Sequence, residues 1–170
     1  MAFAKWLMAA TTAMTTTMVA GSALALSCLP PTIESSYKSW ADAPERYYIV
    51  SGSLTPASPL PPLPQQGSPD RGGIDTANLR AVYRVQGEDI RGLSSLPIDH
   101  YIWVRVGCAG PWCGQFPRAG TSGVMALKQL RDGTLELGVG ACPGSIFDSS
   151  AKARVQQCMT SGCPPQAPTR

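Results

Sequence analysis

Histidine is almost absent from this 170-residue chain, charge is sparse, and long apolar runs are few. His100 is the only histidine, so neither a multi-histidine zinc site nor a Ser-His-Asp triad can be assembled with any redundancy. With Asp99 beside it at the start of a strand-like run, His100 reads as a surface residue. Charged residues make up 15% of the chain, and 14 Lys+Arg against 11 Asp+Glu leave a formal charge of +3, too mild to announce a nucleic-acid partner. No heptad or longer repeat is present, and only one apolar stretch stands out, at the amino end. These absences exclude a fibrous repeat, a coiled coil and a bundle of membrane helices. What remains is enough chain for one ordinary globular domain.

Residues 1–25 carry a single charge, Lys5, then an apolar, threonine-rich stretch from Trp6 to Val19, then the small residues Ala20-Gly21-Ser22-Ala23-Leu24-Ala25. Charge, greasy segment and small-residue cleavage signal in that order predict a secretory signal peptide, with a retained membrane anchor as the alternative. Cleavage after Ala25 leaves Leu26 first; cleavage after Ser27 leaves Cys28 first and opens a lipid-anchored reading. The mature chain is thus expected to fold in the periplasm or outside the cell, where thiols oxidise. The scarcity of lysine beside arginine hints at a GC-rich bacterial genome. Six cysteines, an even number, then argue for disulfides over metal or redox sites, and they formally permit fifteen complete pairings.

Along the mature chain, Ile33, Tyr37 and Trp40 fall at i, i+4 and i+7 behind Thr32, which predicts a short capped amphipathic helix ended by Pro44. Five segments have strand composition: Arg46–Leu54, Leu79–Val85, Tyr101–Val106, Val124–Arg131 and Thr134–Val139. Asp132-Gly133 between the last two is a hairpin signature. Gln86 to Asp99, with Gly87, Gly92 and Pro97, reads as a connection. Residues 56–73, rich in proline and closed by Gly72-Gly73, should form an exposed extended loop whose P-x-x-P is a plain spacer. Asp148 is placed to cap a second short helix carrying Ala151, Val155 and Met159 on one side, and residues 164–170 read as a disordered tail. The expected fold is mainly β: a small five-stranded β-barrel with short flanking helices, with a β-sandwich as the alternative.

The order of features in residues 26–163 resembles the inhibitory domain of tissue inhibitors of metalloproteinases, the netrin-like module built on an OB-type barrel. Three pieces carry the resemblance: Cys28-Leu29-Pro30-Pro31 before a helix, Cys113-Gly114-Gln115-Phe116, and Leu130-Arg131-Asp132-Gly133-Thr134-Leu135 running to Cys142. In the family a C-x-C pair opens the mature protein. Its first position is Leu26 here, so Cys28 stands for the second, and the resemblance pairs it with Cys142. Cys113 and Cys158 lack their family partners, there being no cysteine between Tyr37 and Asp42. Each has a neighbour five positions away, which gives Cys108–Cys113 and Cys158–Cys163 as the expected bridges.

The resemblance implies a non-catalytic binding module with a protein partner, and specifically a metalloprotease. Family inhibitors set the α-amine and carbonyl of their first Cys on the catalytic zinc. Cleavage after Ala25 places Leu26-Ser27 ahead of Cys28 and abolishes that arrangement, whereas cleavage after Ser27 restores it. Cys28, Leu29, Pro30 and Trp112 are the candidate partner-binding residues, although Trp112 reads first as a buried plug under the Cys108–Cys113 loop. No cofactor, metal or nucleic acid is expected, and the chain is expected to be a monomer. Asp70, Asp75, Glu88 and Asp89 read as solvated loop charges, and the arginines at 71, 80, 84, 91, 105, 118 and 131 as a positive face that an exported protein seldom presents to nucleic acid. Two other classes stay open: an envelope or surface structural protein, and a thiol–disulfide enzyme, which the C-x4-C spacing of Cys108 and Cys113 disfavours.

Overall fold

A computed structural model describes residues 28–63, 79–109 and 112–165. The expected signal peptide, residues 64–78 of the proline-rich segment with Asp70, Arg71 and Asp75, and most of the expected tail lie outside the described residues. The first element is helix α1 (Ile33–Ala41), capped by Thr32, whose hydroxyl oxygen accepts from the Ser35 amide at 3.2 Å. Its last i→i−4 bond runs from the Asp42 amide to the Lys38 carbonyl at 2.9 Å, and it stops before Pro44, which has no N–H to continue the ladder.

Eight strands follow: β1 (Tyr47–Pro56), β2 (Arg80–Arg91), β3 (Ser94–Val106), β4 (Cys108–Ala109), β5 (Trp112–Cys113), β6 (Thr121–Gln129), β7 (Leu135–Val139) and β8 (Ile146–Phe147). Helix α2 (Ala151–Ser161) ends the described chain. Five strands run β1-β2-β3-β7-β6, and β6 pairs back onto β1, so the sheet is a closed ring. All neighbours in it are antiparallel except β3 and β7. β8 adds to β6 outside the ring, and β4 and β5 form a separate two-stranded hairpin.

Alternation along the strands sends one side chain set inward and the other under the helices. Val50 and Leu54 of β1, Tyr83 and Val85 of β2, Ile102 and Val104 of β3, Met125 and Leu127 of β6 and Leu137 of β7 fill the interior. On the outer face of β1 and β6, Ile49, Val124 and Ala126 meet Ile33 of α1 and Ala151 and Val155 of α2, with Met159 packed beside them. Val124 to Leu127 is therefore buried on both faces and reads as an unbroken apolar run. Closing so small a ring needs sharp coiling where β1 crosses its neighbours. Gly52 supplies it: a Cβ there would lie 2.4 Å from the Gln86 carbonyl oxygen, and its partner in β2 is also a glycine, Gly87.

Three expectations need correction. The segment Gln86 to Asp99 is not a connection; β2 and β3 run through it as one long hairpin, turning at Gly92 (φ +62°) and Leu93. Gly92 fits the first central position of a tight hairpin turn. Pro97 is tolerated because the register from Arg91↔Ser94 puts it in a non-hydrogen-bonded pair with Glu88, its nitrogen turned to a stretch of β3 that has no second neighbour. Asp148 does not cap α2. Its carboxylate accepts from the Ser150 amide at 2.9 Å and shapes the turn before the helix, whose N-cap is Ser150. Finally, Glu88 and Asp89 are not loop charges: both lie in β2, Glu88 bonded to Ser95 and Lys152, and Asp89 buried and bonded to Arg91.

Candidate functional site

The three bridges are Cys28–Cys142, Cys108–Cys113 and Cys158–Cys163, the pairs expected above. The first spans 114 positions with Cα atoms 5.4 Å apart and fastens the residues before α1 to the chain leaving β7. A second contact holds the same segment. Gly144 has φ +120°, and a Cβ there would come within 2.3 Å of Pro31 Cγ, so Pro31 lies flat against bare backbone. Cys28 to Pro31 is thus fixed at two points while Leu29 between them is 85% exposed.

The Cys108–Cys113 hairpin is built onto the same end of the ring. Gly107 donates to the Val139 carbonyl at 2.8 Å, and Gly114 donates to the Gly107 carbonyl at 3.0 Å. Gly114 must be glycine, since a Cβ would lie 2.5 Å from the Gly140 oxygen and 2.6 Å from the Val139 oxygen. Within the hairpin Cys108 pairs with Cys113 and Ala109 with Trp112, which puts Cys113 inward and Trp112 outward. Cys113 is buried with Leu79 and Val106, and Leu63 of the proline-rich segment packs on the same cluster. Trp112 is 41% exposed, which corrects the expected buried plug: the buried disulfide and Leu63 already fill the space beneath the hairpin.

Between residues 113–118 and 139–146 lies a cleft of about 480 Å³. Its floor includes Phe116, Val139 and Ile146, and Arg118 is the charged side chain among its lining residues. The first wall is pinned from inside the ring, where the Tyr83 hydroxyl, buried enough that its pKa is raised, donates to the Pro117 carbonyl at 2.8 Å. Cys28 reaches the second wall through Cys142, and Trp112 precedes the first. One end of the ring therefore gathers Cys28, Leu29, Pro30, Trp112 and the start of the proline-rich segment.

The remaining sequence candidates fall elsewhere. His100 is exposed on β3, and the neighbouring Asp99 is held by a two-point fork from Arg84 at 2.7 and 2.6 Å, which keeps its carboxyl below the usual range. Of the described arginines in that set, Arg84, Arg91 and Arg105 are in ion pairs and Arg80 stacks on Trp103 at 4.7 Å. Sequence reasoning missed one fastening altogether. Glu34 of α1 and Arg154 of α2 form a forked pair, Nε to Oε1 at 2.6 Å, with the Glu34 side chain only 7% exposed. Burial pushes that carboxyl up, but the hydrogen bonds and charge of Arg154 outweigh it and hold the pKa below its ordinary value. This pair joins α1 to α2 across 120 positions of chain.

Among the described residues no three His, Cys, Asp or Glu side chains come together to hold a metal ion, and no helix is long and apolar enough to cross a membrane. Comparison with family models, with curated proteins and with solved structures finds no match.

Proposed function

We propose that this chain is an exported, non-catalytic protein-binding module of the netrin-like type, and that its contact surface is the end of the ring around the Cys28–Cys142 bridge. The observation that carries the reading is the rigid display of two apolar side chains. Leu29 is held between a disulfide and the Pro31–Gly144 contact, and Trp112 on a disulfide-closed hairpin beside the same cleft. Apolar anchors ordered before binding lose little entropy on docking, which is what a tight protein contact requires. The largely uncharged cleft suits a peptide-like segment of the partner. An OB-type barrel is supported by the ring order β1-β2-β3-β7-β6, the return of β6 to β1 and the parallel β3–β7 pair. Export is supported by three disulfides and by the amino-terminal signal pattern. Inhibition of a metalloprotease follows only for a chain that begins at Cys28. With Leu26 first, the surface binds without reaching a metal.

Photo-crosslinking side chains placed at Leu29, Trp112 and, as a control at the far hairpin, the exposed Leu93 test the reading in the protein's own exported fraction. A common adduct is expected from Leu29 and Trp112 and not from Leu93. Adducts at Leu93 alone, or none from Leu29 and Trp112, would refute the assignment.

A further inference from the structure

A second cavity lies at the seam between β6 and β7, behind the same 144–145 backbone that walls the first cleft. Pairing of these strands stops at Lys128↔Glu136; beyond it β6 turns to β8 while β7 stays with β3. The wedge left between them is a cavity of about 240 Å³, walled by Trp40, Tyr47, Arg105, Lys128, Glu136 and Ser145. We infer that this seam binds a neutral, hydroxyl-rich ring, such as one hexose unit of a polysaccharide.

Glu136 carries the argument. Its side chain is 9% exposed, and Oε1 accepts from Arg105 Nε at 2.8 Å, while Oε2 has no hydrogen-bond donor among the described residues. A buried carboxylate oxygen without a donor is uncommon and calls for one. The charges around it decide what kind. Arg105 is already neutralised by Glu136 and Lys128 by Glu45 at 2.7 Å, so an anion would have to displace a carboxylate and a cation would face two positive groups. A hydroxyl does neither: it donates to Glu136 and accepts from the outer nitrogens of Arg105 or from Lys128. Trp40 and Tyr47 stand in the mainly polar wall, and bare backbone at Gly138, where nothing lies within 4 Å of an added Cβ, leaves room against β7. The volume is below the ~300 Å³ at which drug-sized pockets begin, which fits one ring and not an extended ligand.

The test is nitrogen-15 NMR titration of the folded protein with methyl glucoside, methyl galactoside and N-acetylglucosamine as neutral probes, and glucuronate and choline as charged ones. At least one neutral probe should saturably shift the Trp40 indole N–H and the Gly138 amide, and Glu136→Gln should weaken that binding tenfold or more. Both charged probes should leave these signals unmoved. The inference is overturned if no neutral probe shifts them, if only a charged probe does, if the shifts map to the Cys28–Cys142 cleft instead, or if a folded Glu136→Gln binds as tightly as wild type. The wild-type shift map decides the matter even where that variant does not fold.

Discussion

Replacing Cys28 and Cys142 together by alanine removes the crosslink that spans 114 positions. In the chain-entropy account, closing a loop of that length restricts the unfolded chain by about 4–5 kcal/mol, against roughly 2 for a bridge between residues five apart. The Pro31–Gly144 contact survives the change but holds the segment only by packing. A domain of this size is ordinarily stable by about 5–15 kcal/mol, so the long bridge is a large share of the total. At roughly 2–4 °C per kcal/mol the melting temperature should fall by about 8–20 °C. Paired urea titrations of the Cys28→Ala/Cys142→Ala, Cys108→Ala/Cys113→Ala and Cys158→Ala/Cys163→Ala proteins measure the three bridges on one scale. The account requires the first to be the least stable by a clear margin. Should it unfold with wild type, or should either local pair prove the costlier loss, the view that the amino end is stapled onto the ring by this bond is wrong.

Tyr83→Phe removes the buried hydroxyl that donates to Pro117 and should destabilise by about 1 kcal/mol in equilibrium unfolding. Gly114→Ala forces a methyl group against two carbonyl oxygens and should cost about 1–3 kcal/mol, whereas Gly138→Ala meets open space and should be nearly neutral; thermal melts of the two distinguish a steric demand from a general loss of glycine. Acid should also unfold the protein in a particular way. Glu34, Glu88 and Asp99 titrate below their ordinary values, held by Arg154, by Lys152 and Ser95, and by Arg84. The folded state therefore binds fewer protons than the unfolded state as pH drops below the ordinary carboxylate range, and stability present above it is lost on the way down. Glu34→Gln should remove part of that acid dependence, as measured by urea midpoints from neutral pH to pH 3.

The five ring strands and both helices are legible because their signals are local: apolar alternation in β7, β-branched and aromatic composition in β1 to β3, Asp132-Gly133 between β6 and β7, and Thr32 as the cap of α1. The hairpin at Asp132-Gly133 closes, but as a wider loop between Gln129 and Leu135 in which only Gly133 takes a positive φ, +85°, and not as the two-residue turn with both residues at positive φ that Asp-Gly favours. Continuity of β2 into β3 is not legible, since Gly87 and Pro97 are strand breakers in isolation and become acceptable only opposite Gly52 and along an open stretch of β3. The exposure of Trp112 depends on Leu63, far earlier in the chain, filling the space below the hairpin. Glu34–Arg154 and the half-satisfied Glu136 are likewise long-range facts, for no spacing rule links residue 34 to 154 or 105 to 136.

The most direct measurement is intact mass and non-reducing peptide mapping of the protein recovered from its exported fraction. The account predicts a chain beginning at Leu26 or Cys28, without free thiols, that yields one peptide pair joining Cys28 to Cys142. An uncleaved amino end, a free Cys28, or a crosslink between Cys28 and any other cysteine would contradict it.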